Sequence, residues 1–145
     1  MRIVQIISLI FLLTGCLDEQ DCIITSTNLV KINFKIDSKT ARVISFTKIN
    51  VSGLTKDFYS GASVSSVQLP VSPDDNEATF TFEFEGRTET MHLTYTRQSE
   101  VVSPSCGAFT NYSGLSVSES SFELFTLTNR QLVINAASNL EVFVE

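Results

Sequence analysis

The residue whose setting points most clearly to covalent chemistry is Cys16. It ends the box Leu13-Thr14-Gly15-Cys16, which follows Arg2 and a short apolar run, residues 3–13, interrupted only by Gln5 and Ser8. A positive residue, a short apolar segment and small residues before a cysteine are typical of a lipoprotein signal peptide. The sequence therefore predicts cleavage before Cys16, with acyl chains on its thiol and its freed amine.

Two other interpretations of this run are a membrane-spanning helix and a buried core helix. A spanning helix needs roughly 20 apolar residues, and this run is about half that length. It also ends in a small-residue cleavage pattern rather than a helix cap. Two or three acyl chains, at about 0.8 kcal/mol per buried methylene, make a durable anchor. We therefore expect a chain that is tethered to a membrane through Cys16 and does not cross it.

The remaining cysteines, Cys22 and Cys106, form an even pair once Cys16 carries lipid. In the oxidising compartment that a secretory signal implies, such a pair is expected to form a disulfide. Closing a loop of this size stabilises a fold by roughly 4–5 kcal/mol in the chain-entropy model. A metal or redox site is the alternative, but the chain has no CxxC motif and one histidine. We expect neither a metal ion nor another cofactor.

Other candidates for catalysis are weak. His92 is in phase with Thr90 and Thr94 on the polar face of a strand, with no positioned partner, so it is expected to be an exposed strand residue. The acidic stretch 74–77 lacks the spacing of an EF-hand loop and is typical of a solvated turn. The serines lack a G-x-S-x-G setting. The sequence predicts no catalytic residue and a protein that is not an enzyme.

Charge and composition limit the partners and the fold. The formal net charge is −6, and loss of Arg2 with the signal peptide makes it one unit more negative. Without a cluster of Lys and Arg the chain has no footprint for nucleic acid. With 43% hydrophobic residues and 11 Phe, it can bury the core of one ordinary domain.

Alternating apolar residues predict most of the strands. In Asn28–Asp37 the residues Val30, Ile32, Phe34 and Ile36 fall on one face, which is expected to be buried. In Arg42–Val51 the alternation of apolar and polar residues is less regular, which indicates a bulge or an edge strand. Ala78–Glu85 and Thr88–Arg97 make a hairpin with one apolar and one polar face, expected at the centre of the fold.

The other predicted strands are short. Val64–Val71 contains Pro70 and should be an edge strand or a strand end. A long segment, Ser99–Leu115, carries Cys106. Three last strands are predicted at Ser121–Leu127, Leu132–Asn135 and Leu140–Val144.

About seven to nine short strands without a helical period predict an all-β fold, a single antiparallel β-sandwich of immunoglobulin-like or similar type. The predicted domains are a signal peptide at 1–15, the lipidated cysteine with an acidic tether at 16–27, and the sandwich at 28–145.

Three aromatic residues in apparent loops, Tyr59, Phe109 and Tyr112, could bind a ligand or pack against the core. Glycan sites usually use flat aromatic platforms, and the chain has no Trp. The acidic stretch after Cys16, residues 17–21, resembles the surface-export signals of Bacteroidota lipoproteins, although a solvated linker is an equal alternative.

Several segments together resemble one family of small Bacteroidota lipoproteins that is known only as a domain of unknown function. These segments are Cys22, Gly53-Leu54, Lys56-Asp57, Tyr59, Leu69-Pro70, Leu93–Arg97, Val102-Ser103 and Cys106-Gly107. The resemblance implies no activity, cofactor or catalytic residue, and it supports pairing of Cys22 with Cys106. Genes of such proteins often neighbour one for an outer-membrane β-barrel, which implies an envelope partner.

These expectations converge on a lipid-anchored protein of the cell envelope, at the periplasmic or cell-surface face of the outer membrane. We expect a non-enzymatic sandwich that binds or supports an envelope protein, such as an outer-membrane β-barrel. The alternative is a surface ligand-binding or adhesin module, with glycans as one candidate ligand.

Overall fold

The computed structural model describes residues 22–145, so the predicted signal peptide, Cys16 and residues 17–21 of the tether lie outside the described residues. Within this range the chain forms nine strands and no helix. No helix there is long and apolar enough to cross a membrane. The strands are β1 (Leu29–Lys35), β2 (Ile44–Val51), β3 (Ser63–Val64), β4 (Ser66–Pro70), β5 (Glu77–Phe84), β6 (Arg87–Ser103), β7 (Gly107–Ser120), β8 (Leu124–Leu127) and β9 (Leu140–Phe143).

The strands form two sheets, ordered β4-β1-β9-β8 and β3-β2-β5-β6-β7, which pack together as the predicted all-β sandwich. The predicted hairpin is present as β5 and β6, and both strands are interior to the larger sheet. A register shift between Phe46 and Lys48 is the irregularity expected in β2. Pro70 ends β4, which is an edge strand, as expected of a residue with no amide hydrogen to donate. One pair, β1 with β9, is parallel.

A cluster of phenylalanines joins the two sheets. Phe34 on β1 lies 5.3 Å, centroid to centroid, from Phe46 on β2 and 6.0 Å from Phe82 on β5. Phe82 also contacts Phe80 and Phe122 through edge-to-face geometry. The period-two alternation of β1 and β5 directs these rings inward, because successive side chains of a strand point to opposite faces. Burial of this aromatic area provides much of the hydrophobic stabilisation.

The structure corrects three of the sequence-based strand assignments. Ser99–Leu115, which the sequence leaves as one long segment, contains the ends of two strands, because β6 continues to Ser103 and β7 begins at Gly107. The segment 132–135 is not a strand, although Val133 makes an isolated bridge with Ser26. Ile36 lies beyond the end of β1 and is half exposed rather than part of the core face.

The irregular segment between β8 and β9 is organised by the side chain of Asn139, which is 1% exposed. Its Oδ1 accepts a hydrogen bond from the Lys31 amide at 2.9 Å. Its Nδ2 donates to the carbonyls of Asn129 at 3.2 Å and Gln131 at 2.9 Å. One buried amide therefore satisfies three backbone groups that no strand pairing would reach.

The substitution Asn139→Ala should lower the free energy of unfolding by about 1–3 kcal/mol, because it removes three hydrogen bonds between a buried side chain and partly buried backbone groups. Chemical denaturation of the variant and the wild type measures the difference. The matched control is Asn135→Ala, an exposed asparagine in the same segment, which should change stability by less than about 0.5 kcal/mol. Equal effects of the two substitutions would contradict this role.

Candidate functional site

The larger sheet carries an extension that leaves the body of the sandwich. The pairing of β5 with β6 ends at Glu77 and Thr94, whereas β6 pairs with β7 as far as Ser103 and Gly107. We call the part from Arg97 to Tyr112 the arm. Gly107, with φ of +75°, closes the turn at its end in a conformation that glycine adopts without strain.

The end of the arm is joined to the start of the described chain. The sulfurs of Cys22 and Cys106 lie at bonding distance, and their Cα atoms are 5.5 Å apart, as expected of a disulfide. The structure therefore brings together the two cysteines that the sequence pairs.

Residues 22–27, which the sequence assigns to the tether, are held against the domain. Ile134 donates its amide hydrogen to the Thr25 carbonyl at 2.9 Å, and Thr27 donates to the Leu132 carbonyl at 3.0 Å. The Tyr112 amide hydrogen bonds to the Ser26 hydroxyl at 3.4 Å. This segment thus bonds to residues 132–134 and, through Ser26, to Tyr112 on β7, so residues 22–27 are held by the domain.

Replacing both cysteines, Cys22→Ala with Cys106→Ala, should lower the free energy of unfolding by about 2–5 kcal/mol, because the bridge restricts the unfolded chain. Denaturation curves of the oxidised wild type, the reduced wild type and the double variant measure this. The reduced protein should match the double variant. Equal stability of all three forms would contradict a structural bridge.

The base of the arm is anchored by aromatic packing and an arginine. The rings of Tyr95 and Tyr112 pack 6.0 Å apart, and Tyr112 is 7% exposed. Arg97 donates from Nε to Asn76 Oδ1 at 2.9 Å and from a terminal nitrogen to the Pro73 carbonyl. The turn before β5 therefore supports β6 at the point where the β5 pairing stops.

A shallow open cleft of about 440 Å³ lies at this base, lined mainly by polar groups of the turn 75–77 and of β6. The hydroxyl of Tyr95 is partly buried and lies 3.0 Å from the Ser72 carbonyl oxygen and 3.3 Å from that of Glu77. Burial, with a smaller effect of the Asp75 charge, raises the pKa of Tyr95 above its ordinary value. The hydroxyl is thus a neutral hydrogen-bond donor that fixes the turn.

The substitution Tyr95→Phe should cost about 0.5–1.5 kcal/mol at pH 8 through loss of this hydrogen bond. In the unfolded chain the phenol ionises near pH 10, below the raised pKa of the folded state. The wild type should therefore lose stability as the pH rises above about 10, and the variant should not share this loss. Denaturation at pH 8 and at pH 11 should show the difference between the two proteins shrinking. A difference that does not change with pH would contradict the raised pKa.

The arm has one open edge. Among the described residues, no strand pairs with β6 on the side away from β7 beyond Thr94, apart from one hydrogen bond from the Tyr95 amide to the Asn76 carbonyl. On the other side, β7 is partly covered, since Leu115 donates to Arg130 and Leu132 donates to Tyr112. The backbone of β6 from Gln98 to Ser103 is therefore available for pairing with another strand.

His92 lies on the outer face of the larger sheet and is half buried. Its Nδ1 is 2.9 Å from the hydroxyl of Thr79, and its register neighbour on β7 is Glu119. The sequence did not identify Thr79 as a partner, because cross-strand neighbours depend on the register. The Thr79 amide donates to the Ser52 hydroxyl at 2.9 Å, and its carbonyl accepts from the Ser52 amide. We interpret this row as a polar ladder that links β5 and β6 to the residue that follows β2.

The aromatic residues expected in binding loops are placed differently. Phe109 and Tyr112 lie in β7, so their assignment to a loop is wrong, and the ring of Tyr112 is enclosed in the core. Tyr59 lies between β2 and β3 with φ of +52° and packs against the core. Its hydroxyl accepts a hydrogen bond from the Gln68 amide at 2.9 Å. The structure does not assemble these three rings into one flat platform.

The comparisons with known proteins identify a family. Residues 48–144, more than half of the chain, match the family of unknown function DUF6452. The chain belongs to this family. The match begins inside β2 and runs past β9, so it includes the arm and Cys106 but not β1 or Cys22. No curated protein and no solved structure matches the chain.

Proposed function

We propose that this member of the family is a lipid-anchored, non-enzymatic protein of the bacterial envelope, of the Bacteroidota lipoprotein kind. In this proposal the arm binds a protein partner, which adds a strand to the open edge of β6. The observation that carries the proposal is the length of β6 that continues past β5 with a strand on one side only.

The chemistry of the open edge suits strand addition. Natural proteins protect such edges with Lys, Pro or bulges that prevent pairing with other chains. Between Gln98 and Val102 there is no Lys, Arg or Pro, and Glu100 is the one charged residue. The register with β7 is regular from Thr96 to Val101 and shifts only between Val101 and Ser103, so the edge suited to strand addition ends at Val101. An added strand would gain affinity from backbone hydrogen bonds and specificity from alternate side chains.

The arm is also held in a defined position before a partner arrives. Two-stranded hairpins are marginally stable alone. Here Arg97 fixes the base and the Cys22–Cys106 contact fixes the end. A preorganised edge binds more tightly, since less conformational entropy is lost on association.

The proposed anchor gives the class of partner. Cys16 lies six positions before Cys22, so acyl chains on Cys16 would keep the end of the arm near the membrane. A partner that pairs with β6 would therefore lie in or on the same membrane. An outer-membrane β-barrel fits this description, as does another envelope protein with an extended segment. Lipid at Cys16 and an oxidising compartment also agree with the paired cysteines.

A photo-reactive residue placed at Gln98 tests the proposal in intact cells that make the lipidated protein. We expect one discrete crosslinked protein from this site, because Gln98 is exposed on the open edge. The matched control is Thr126, an exposed residue on β8, which is an edge strand of the other sheet. We expect no discrete product from it.

A second variant, Ser99→Lys, should remove most of the crosslink at Gln98, because a lysine on an edge disfavours strand addition. A product that forms from Thr126 instead, or no discrete product from either site, would rule out the open edge of β6 as the binding surface.

A further inference from the structure

We infer that the end of the arm is a second membrane contact, which places aliphatic side chains at the boundary between headgroups and acyl chains of the bilayer that holds the anchor. We call this surface the tip and define it as Val101–Ala108 together with Cys22–Ile24. The inference rests on the proposed lipid at Cys16 and deepens it by stating how the domain meets the membrane.

The tip exposes aliphatic side chains that the fold does not use. Val101 is 77% exposed, Ile23 75%, Ile24 49% and Val102 37%. Val101 pairs with Ala108 across the arm, and Ile23 and Ile24 directly follow Cys22, which contacts Cys106. Two separate pieces of chain thus contribute apolar residues to one end of the molecule. Such a grouping is typical of an interaction surface rather than of scattered exposed residues.

The length of the tether indicates lipid as the occupant. A fully extended chain from Cys16 to Cys22 spans at most about 20 Å. The strand β6 has 17 residues, and at about 3.3 Å per residue it is more than about 50 Å long. A tether of this length would keep the tip within about 20 Å of the bilayer, and it places no such limit on the start of β6. Ile36 and Leu124 are also exposed and line a cavity at the opposite end, so it is the tether that selects the tip as the apolar surface held at the membrane.

The charged residues in and near the tip indicate whether its contact with lipid would be electrostatic or apolar. From Gln98 to Thr110 the only charged residue is Glu100, and the tether contributes Asp18, Glu19 and Asp21. Binding to anionic headgroups requires clustered Lys and Arg, which this region lacks. The contact should therefore be apolar, equally good on zwitterionic lipid, and insensitive to salt. It would also orient the domain so that the open edge of β6 lies beside the bilayer surface.

The chain contains no Trp, so a single introduced tryptophan reports on one position. The full lipidated protein carrying Val101→Trp is reconstituted into phosphatidylcholine vesicles that contain brominated acyl chains, which quench tryptophan on contact. We expect strong quenching and a blue-shifted emission, unchanged in 1 M salt. The matched control is Leu124→Trp, which is 58% exposed and lines a cavity with Arg87 at the opposite end of β6. We expect no quenching there.

A second reporter covers the case in which tryptophan at position 101 disturbs the fold. Ala108→Trp should be quenched by the same lipids. The quenching should fall at least severalfold when Val101→Ser and Val102→Ser are added, since both apolar contacts are lost.

Vesicle flotation separates the two levels of the proposal. Flotation with quenching at Val101 and not at Leu124 supports both the anchor and the tip. Flotation with no quenching at either tip position, or with equal quenching at the tip and at Leu124, overturns the inference and leaves the anchor standing. Failure of the native protein to float removes the anchor and the inference with it.

Discussion

The contact between Cys22 and Cys106 is the constraint on which the arrangement of this protein depends. It joins the first described residue to the turn between the two longest strands, β6 and β7. Without it, the arm would be a two-stranded extension supported mainly at its base, and such hairpins are marginal in water. With it, the end of the arm is joined to residues 22–27, which are themselves bonded to residues 132–134. The same contact fixes where a tether that begins before Cys22 must leave the domain.

The body of the sandwich and the arm are stabilised in different ways. In the body, Phe34, Phe46 and Phe82 pack across the two sheets, so stability there comes from buried aromatic area. Past Tyr95 and Tyr112 the arm has no comparable core, and it relies on strand pairing, on Arg97 and on the bridged cysteines. Regions with few buried apolar contacts open at lower free energy than the core. Adding a strand to the open edge, as proposed above, would extend this pairing without disturbing the core of the body.

The sequence predicted the elements whose pattern is local. The alternation of Phe80, Phe82 and Phe84 is enough to place β5, and Pro70 is enough to place an edge. The parallel pairing of β1 with β9 joins the two ends of the described chain, and no local pattern carries this information. The extent of β6 was missed because Gln98–Ser103 has little alternation, since neither of its faces packs on a core. Asn139 was missed because the sequence does not distinguish an asparagine with a buried side chain from an asparagine in an exposed turn.

Of the candidate site, only the pairing of the two cysteines could be predicted from the sequence. Counting cysteines was enough to pair Cys22 with Cys106, but three expected binding residues were chosen from apparent loops, and two of them lie in β7. Tyr112 was misplaced because it lies in a long segment with no assigned strand and was taken for a loop residue, so its inward direction could not be derived. The open edge of β6 follows from a difference in strand lengths, which only the register of three strands together reveals.

Intact mass spectrometry of the membrane-extracted protein, before and after reduction, tests the central claim most directly. The account predicts a chain that begins at Cys16, carries acyl chains, and gains the mass of two hydrogens when one disulfide is reduced. A protein that retains residues 1–15 without lipid, or whose mass does not change on reduction, would contradict it.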